Sequence, residues 1–276
     1  MSEITNNVGS ASMRVAAVQM VSSPKVEENL AAAGGLIAQA AAGGAQLVVL
    51  PEYFCLMGNA DTDKVAVREA SGDGPIQDFL ADQARSHGIW LVGGTLPLAC
   101  SDPARVYNST QVFDPEGTCR TRYDKIHLFN YRRDTETYDE AATIMPGSRP
   151  VAFEAPCGRV GLSVCYDLRF PELYRSLGEL NLILVPAAFT YTTGRAHWEV
   201  LLRARAIENQ CYVLASAQGG VHANGRRTWG HSMLIDPWGD VLEVLDEGPG
   251  IVAGTVDPSR IDQVRTSLPA LRHRVM

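Results

Sequence analysis

The chain contains three residues whose side chains could together hydrolyse an amide: Cys165, Glu52 and Lys125. A cysteine thiolate can attack a carbonyl carbon, but the thiol must first lose its proton. A nearby carboxylate can accept that proton, pass it to the leaving amine and later activate a water molecule. An ammonium group and backbone N–H groups can hold the oxyanion that forms during the attack. This scheme needs no histidine.

The position of Cys165 is compatible with a reactive thiol and equally with an inert core cysteine. The cysteine follows the apolar run 159–164 and precedes Pro171-Glu172, a pair typical of a helix start. We therefore expect a sharp strand-to-helix bend, where the helix dipole and backbone N–H groups lower the thiol pKa and stabilise an oxyanion. A small buried core residue is the alternative, because free cysteines are often inert parts of the core.

Glu52 and Lys125 are ambiguous when each is considered alone. Glu52 comes just after the apolar run 45–50, so it is predicted at the carboxyl end of a buried strand, where α/β proteins bind ligands. A solvated loop carboxylate is the alternative. Lys125 ends a predicted hairpin strand, and an exposed lysine in such a strand usually has no catalytic role. The combination of a thiol, a carboxylate and an ammonium group is what predicts chemistry.

The elements that must position these residues recur in two similar halves. Residues 47–54 resemble residues 182–189, and the turn at 112–117 resembles the turn at 234–239. Coincidence is the alternative, because both patterns are common. Two α/β halves whose sheets pack face to face predict a four-layer α-β-β-α sandwich. The predicted strands are 13–20, 45–50, 89–96, 106–113, 119–123, 181–185, 211–217, 233–235 and 241–245, and the predicted helices are 26–42, 76–86 and 196–209.

Composition excludes several classes of function. The chain has 276 residues, 46% of them hydrophobic, and a net charge of −7 without a basic block, which argues against nucleic-acid binding. No apolar run could span a bilayer, and no secretory signal is visible. The cysteines and histidines lack metal-ligand or disulfide spacing. We therefore predict a cytoplasmic enzyme without metal or cofactor, with one domain at 13–276 and a flexible tail at 1–12.

Three segments together resemble the signatures of the nitrilase (carbon–nitrogen hydrolase) superfamily. They are Leu-Pro-Glu52, Tyr-Asp-Lys125-Ile-His-Leu-Phe and Gly-Leu-Ser-Val-Cys165-Tyr-Asp-Leu-Arg-Phe-Pro-Glu, in matching order. The similarity covers nearly the whole chain and implies a nitrilase-like sandwich with a Glu–Lys–Cys triad. It implies Glu52 as general base and acid, Lys125 as oxyanion stabiliser and Cys165 as nucleophile. It further implies that Glu140 positions Lys125 and the substrate, and that the backbone N–H of Tyr166 completes the oxyanion hole.

Residues 193–213 resemble the branch that contains omega-amidases and deaminated glutathione amidases, and residues 215–219 and 230–239 are closer to the latter. The resemblance implies that Arg169 binds the 2-oxo acid end of the substrate, with Phe189 and Thr193 nearby in the pocket. The expected reaction converts deaminated glutathione to 2-oxoglutarate and cysteinylglycine. Omega-amidase activity on 2-oxoglutaramate or 2-oxosuccinamate is the alternative, and a non-catalytic scaffold or binding protein is the hypothesis from another class. Arg195 and the segment 131–139 depart from the pattern.

The remaining expectations concern assembly and supporting residues. The resemblance implies a homodimer or a higher homo-oligomer, and the helix after Cys165 and the segment 268–276 are the predicted interface. Ser163 is expected to support the cysteine strand, although its setting resembles a serine elbow. His127 and His231 are expected to be structural.

Overall fold

Two β-sheets pack face to face at the centre of the protein, with helices on both outer sides. The structure is a computed structural model that describes residues 10–133 and 136–275. The first nine residues of the predicted tail lie outside this part, as does Met276 of the predicted interface. No helix within the described ranges is long and apolar enough to cross a membrane.

The described part of the chain forms seventeen strands and six helices. The strands are β1 (Met13–Gln19), β2 (Leu47–Val49), β3 (Trp90–Val92), β4 (Leu96–Ala99), β5 (Val106–Phe113), β6 (Cys119–Asp124), β7 (Asn130–Arg133), β8 (Glu136–Asp139), β9 (Ala152–Ala155), β10 (Gly158–Leu162), β11 (Leu182–Ala187), β12 (Tyr212–Ala217), β13 (Gly219–Val221), β14 (Arg227–Trp229), β15 (Met233–Ile235), β16 (Val241–Val244) and β17 (Gly250–Val256). The helices are α1 (Val26–Ala42), α2 (Asp63–Ala66), α3 (Pro75–His87), α4 (Pro171–Ser176), α5 (Tyr191–Asn209) and α6 (Pro258–Ser267).

The two large sheets have the same internal order, which confirms the predicted repeat. One sheet runs β17-β1-β2-β3-β5 with β4 and β6 both paired to β5, and the other runs β9-β10-β11-β12-β15-β16. In each, an antiparallel strand precedes three parallel strands, and two antiparallel strands follow. Helices α1 and α3 connect the parallel strands of the first sheet as α4 and α5 connect those of the second. The turns after Asp114 and Asp236 are closed by equivalent hydrogen bonds from Gly117 and Gly239.

The strand pleat divides the core into layers, because successive side chains of a strand point to opposite faces. Val15 and Ala17 of β1 belong to the core shared by the two sheets. Ala16 and Val18 belong to the core beneath α1 and α3. The side chains of α4 and α5 cover the far face of the second sheet. The predicted four-layer α-β-β-α sandwich is therefore the observed architecture.

Two element boundaries differ from prediction for local reasons. The strand expected at 89–96 is interrupted after β3, because Gly94 has a φ of 50° and turns the chain. Helix α5 begins five residues earlier than expected, at Tyr191. The Thr190 side chain accepts a hydrogen bond from the backbone N–H of Thr193, which caps the new start.

The helix after Cys165, part of the predicted interface, is α4. The apolar side chains of α4, Leu173 and Tyr174, are buried in the protein's own core. Glu172 and Arg175 occupy its outer positions. The apolar face of this helix therefore packs on the second sheet and its outer face is polar, and its part in an interface stays a prediction. In the segment 268–275, Leu268 and Val275 are exposed.

Candidate active site

Three strand ends bring Glu52, Lys125 and Cys165 into one pocket region. Glu52 follows β2, Lys125 follows β6 and Cys165 follows β10. The sheets meet at this end, because Met20 after β1 pairs in parallel with Gln218 after β12. The side chains of Glu52 and Lys125 are 1% and 0% exposed, and Cys165 is 8% exposed. The exposed-lysine and solvated-carboxylate alternatives were therefore wrong.

The ammonium group of Lys125 lies between two carboxylates. Its Nζ atom is 2.8 Å from Glu52 Oε1 and 2.8 Å from Glu140 Oε2. Burial disfavours the charge on Lys125, but Glu140 and Glu52 outweigh it and raise the pKa of the lysine well above its usual range. The lysine is therefore a fixed cation, and the three groups together carry one net negative charge.

Two further donors hold the carboxylate of Glu52 in place. The Asn108 side chain donates to Oε1 over 2.9 Å, and the backbone N–H of Ala188 donates to Oε2 over 2.9 Å. Asn108 lies in β5 of the first sheet, while Ala188 follows β11 of the second. Glu52 is thus oriented by both halves of the molecule, with each oxygen assigned to different donors.

Glu140 begins a short 3₁₀ turn after β8 and contacts Lys125 Nζ with both of its carboxylate oxygens. The Tyr53 hydroxyl donates to its Oε1 over 2.9 Å, and the backbone N–H of Phe129 donates to its Oε2 over 2.7 Å. Burial raises the pKa of Glu140, but Lys125 and these donors outweigh it, so the pKa is lowered. Glu140 therefore remains charged and fixes the ammonium group.

Cys165 occupies the predicted bend. Its φ of 50° places it in the left-handed region, and the 3₁₀ turn Cys165–Arg169 leads directly into α4. The backbone N–H of Tyr166 is at the start of this turn, before the turn's own hydrogen bonds begin, and has no acceptor among the described residues. This amide is available for an oxyanion beside the thiol.

Asp167 ties this bend to the lysine segment and was not singled out in the sequence. Its carboxylate accepts hydrogen bonds from the backbone N–H of Val164 over 2.9 Å and from the Tyr123 hydroxyl over 2.7 Å. It also accepts from the backbone N–H of His127 over 3.0 Å and contacts that ring's Nδ1 at 2.7 Å. Its position inside the Cys-Tyr-Asp motif was the available signal.

The thiol pKa differs from the prediction. Burial and the charge of Glu52 raise the pKa of Cys165 well above the ordinary value of 9.0, and the opposing effect of Lys125 does not compensate. The expected lowering was wrong because burial disfavours the thiolate, and because Glu52 and Glu140 together outweigh the single cation. The free enzyme therefore holds a neutral thiol next to a carboxylate, so deprotonation depends on proton transfer to that carboxylate.

A catalytic pocket of about 290 Å³ opens over Cys165. All the residues predicted to bind substrate line it, namely Arg169, Phe189 and Thr193. The Arg169 guanidinium lies 5.6 Å from the Phe189 ring centroid, and both its Nη atoms are 3.3 Å from His197 Nδ1. Among the described residues it has no carboxylate partner, so it can bind one from a substrate.

An adjoining chamber of about 560 Å³ shares Phe129, Glu140 and Arg226 with the catalytic pocket. The remaining residues that line it are Tyr53, Leu56, Met57, Gly58, Ala60, Asp61, Lys64, Tyr138 and Asp139. Sequence reasoning missed Lys64 and Arg226, which lie far from every motif.

Other predicted roles can be assigned from contacts. Ser163 is fully buried and donates to the backbone carbonyl of Leu184 over 2.8 Å, which is the supporting role predicted. His231 stacks on Trp229 and contacts its carbonyl, as expected of a structural histidine. In the described ranges, no group of three His, Cys, Asp or Glu side chains could hold a metal ion.

Asn108 and Tyr53 were also missed, although weak signals existed. Residues 108–111 are four consecutive polar residues inside a strand that is otherwise apolar, and all are buried in the structure. Buried polar side chains need partners, so such a run marks a polar site within the core. For Tyr53, the signal was its position directly after Glu52 in the chain.

Comparisons with known proteins show which chains this one is similar to. A model of the carbon–nitrogen hydrolase family matches residues 14–266. A deaminated glutathione amidase from Synechocystis sp. is 44% identical over 266 residues, which cover 94% of this chain and 97% of the relative.

Solved structures of related proteins are also similar to this chain. Nit3 of Saccharomyces cerevisiae, a member of branch 10 of the nitrilase superfamily, has a TM-score of 0.86 and 30% identity, covering 96% of this chain and 97% of its own. A mutant of the Nesterenkonia sp. AN1 amidase, with the acetamide moiety of fluoroacetamide covalently added at its active-site cysteine, has a TM-score of 0.80 and 27% identity, covering 97% and 95%. The chain therefore belongs to the carbon–nitrogen hydrolase family and is an amide-hydrolysing enzyme.

Proposed function

We propose that the protein is a thiol amidase that hydrolyses deaminated glutathione to 2-oxoglutarate and cysteinylglycine through a thioester on Cys165. The observation that carries the proposal is the buried Glu52–Lys125–Glu140 cluster, which adjoins Cys165 in a pocket that also contains Arg169. This arrangement supplies a base, an oxyanion partner, a nucleophile and a carboxylate-binding group. Glu52, Lys125 and Cys165 are the catalytic residues of the proposal.

In the first half of the reaction, Glu52 accepts the thiol proton and Cys165 Sγ attacks the amide carbonyl carbon. The carbonyl oxygen becomes an oxyanion, held by Lys125 Nζ and the Tyr166 N–H. Glu52 then gives its proton to the amide nitrogen, the C–N bond breaks, and cysteinylglycine leaves as an amine. The raised pKa of the thiol supports this order, because the resting enzyme holds the proton that Glu52 must move.

In the second half, a water molecule attacks the thioester while Glu52 accepts one of its protons. The same oxyanion contacts stabilise the second tetrahedral intermediate. The C–S bond breaks, Cys165 recovers its proton from Glu52, and 2-oxoglutarate leaves. Glu140 acts as a positioning residue throughout, because both of its carboxylate oxygens hold the ammonium group of Lys125.

The substrate assignment is supported by Arg169 and by the relatives. The planar guanidinium of Arg169 can take the carboxylate of a 2-oxo acid in a bidentate pair. Phe189 and Thr193 supply an apolar wall and a hydroxyl in the same pocket. The Synechocystis relative at 44% identity is a deaminated glutathione amidase.

The test compares two amides with the same acyl group. We expect a higher kcat/KM for deaminated glutathione than for 2-oxoglutaramate, and a mass shift on Cys165 corresponding to the 2-oxoglutaryl thioester in rapidly quenched samples. Cys165→Ala should lose both the activity and the shift. Equal or better turnover of 2-oxoglutaramate would instead identify an omega-amidase. An inactive wild type on every amide tested would favour a scaffold.

We also propose that the protein works in the cytoplasm as a homodimer or higher homo-oligomer, with residues 13–276 as one catalytic domain. Exposed apolar side chains support an interface, notably Val200 and Ile207 of α5. The six cysteines are free thiols, which suits a reducing compartment. The net charge of −7 supports a small-molecule partner over nucleic acid or a membrane surface. Sedimentation of the purified protein measures the stoichiometry.

A further inference from the structure

The adjoining chamber contains two cations that the proposed chemistry does not use. We propose that Lys64 and Arg226 bind the carboxylate at the far end of the leaving group, and so select a peptide-like amide over a primary amide. This inference rests on the proposed function, because it assigns the second half of the same substrate.

Lys64 is one of three lysines in the chain, and neighbouring carboxylates neutralise its charge poorly. Its side chain is 16% exposed, and its Nζ donates to Thr143 Oγ1 over 3.1 Å. Its carboxylate partner, Asp61, lies 3.7 Å away and is 80% exposed, so water weakens that pair. Burial lowers the pKa of Lys64; Asp61 and Glu140 oppose that shift without reversing it, and the nearby cations Arg226 and Lys125 add to it. An anion bound in the chamber would relieve both effects.

Arg226 lies where the chamber joins the catalytic pocket. Its guanidinium lies 5.2 Å from the Tyr138 ring centroid and donates to the Ala188 carbonyl over 3.4 Å and to Met57 Sδ over 3.9 Å. Its Nε atom is buried without a hydrogen-bond partner, and no carboxylate forms an ion pair with it among the described residues. A buried cation without an anionic partner is costly, so an anion in the chamber beside this guanidinium would be stabilising.

The acidic residues of the chamber do not satisfy these cations. Glu140 is committed to Lys125, Tyr53 and Phe129. Asp61 and Asp139 are exposed. In the part of the chain that the structure describes, Lys64 and Arg226 therefore lie in the chamber wall without a buried carboxylate committed to either of them.

The two carboxylates of the proposed substrate match the division of the cations between the two cavities. Deaminated glutathione carries one carboxylate on the 2-oxo acid end and one on the glycine end, and the scissile amide lies between them. Of these two cavities, Arg169 lines the catalytic pocket and Lys64 lines the chamber. The two residues of the leaving group span about 7 Å when extended, so their carboxylate is held away from Cys165. Ammonia, the leaving group of 2-oxoglutaramate, makes no such contact.

The test uses Lys64→Met and Arg226→Met, with Lys25→Met as the matched control at an exposed lysine. Each chamber variant should lower kcat/KM for deaminated glutathione about 10- to 100-fold more than for 2-oxoglutaramate, the effect of losing one charged hydrogen bond. The control should change neither value. A parallel loss on both amides, or no loss on either, would overturn the subsite.

The first part of a second measurement uses only the wild type, so its result does not depend on whether a variant folds. Converting the glycine carboxylate of deaminated glutathione to a carboxamide should lower kcat/KM of the wild type about 10- to 100-fold. Lys64→Met should then show little further loss on the carboxamide. If the wild type treats both compounds equally, the subsite is wrong while the proposed function stands. If the wild type hydrolyses neither deaminated glutathione nor 2-oxoglutaramate, both proposals fail.

Discussion

The backbone N–H of Ala188 donates a hydrogen bond to Glu52 Oε2 over 2.9 Å, although 136 positions separate the two residues in the chain. Ala188 follows β11 of the second sheet, whereas Glu52 follows β2 of the first. The bond therefore joins equivalent loops of the two halves. Because Lys125 and Asn108 engage the other oxygen, Oε1, the carboxylate has a single orientation beside Cys165.

Glu52→Gln separates the proton-transfer role of this carboxylate from its charge. We expect kcat to fall at least about 100-fold, because the amide cannot accept the thiol proton. The charge of Glu52 also raises the pKa of Cys165, so its removal should make the thiol ionise at lower pH than in the wild type. Thiolate ultraviolet absorbance measures the shift, with Cys165→Ser subtracting the other five cysteines. An unchanged titration would contradict this electrostatic account.

Lys125→Met should damage both stability and catalysis. The substitution leaves Glu52 and Glu140 buried without the cation between them, a change that costs about 3–5 kcal/mol in comparable buried pairs. Loss of an oxyanion donor should lower kcat about 100- to 1,000-fold. Urea unfolding and steady-state kinetics check the two effects. Lys25→Met, at an exposed pair, is the control and should change neither.

Glu140→Gln should alter how stability depends on pH. The pKa of Glu140 is lowered from 4.5, so its charge stabilises the fold above pH 4.5, and that contribution is lost as the pH falls through its folded-state pKa. The difference in unfolding free energy between wild type and variant should therefore be constant near neutral pH and shrink in acid. Glu154→Gln, at an exposed carboxylate of β9, should keep the wild-type acid limb. A difference that grows in acid would refute this sign.

Gly94→Ala tests the turn that supports the Glu52 loop. A Cβ atom at Gly94 would lie 2.1 Å from the Pro51 carbonyl oxygen, so the backbone just before Glu52 would have to move. We expect a loss of stability and of kcat. Gly88→Ala is the matched control, because Gly88 also has positive φ but has open space around it, and it should show only the backbone strain of about 1–2 kcal/mol. Equal effects at both positions would remove the steric explanation.

Much of the architecture could be predicted from the sequence because local periodicity carries it. Helix α1 has the predicted bounds, and the hairpin of β5 and β6 and the turn after Asp236 lie where turn residues indicated. The two halves were visible as repeated strand-Pro and Asp-Pro-x-Gly segments. Boundaries failed where a single residue sets a turn or a cap against the periodicity, as at Gly94, whose positive φ interrupts the predicted strand.

The sequence by itself determined the residue types of the site and the strand ends on which they lie, because motif residues next to apolar runs specify both. Only the tertiary structure decided the balance of charges around Cys165 and which residues line the adjoining chamber. Burial, together with two carboxylates against one lysine, raises the pKa of the thiol, which the helix dipole alone would not predict. Lys64 and Arg226 are 162 positions apart and belong to no shared motif. Long-range packing of the two sheets, and no local pattern, brings them to the same cavity.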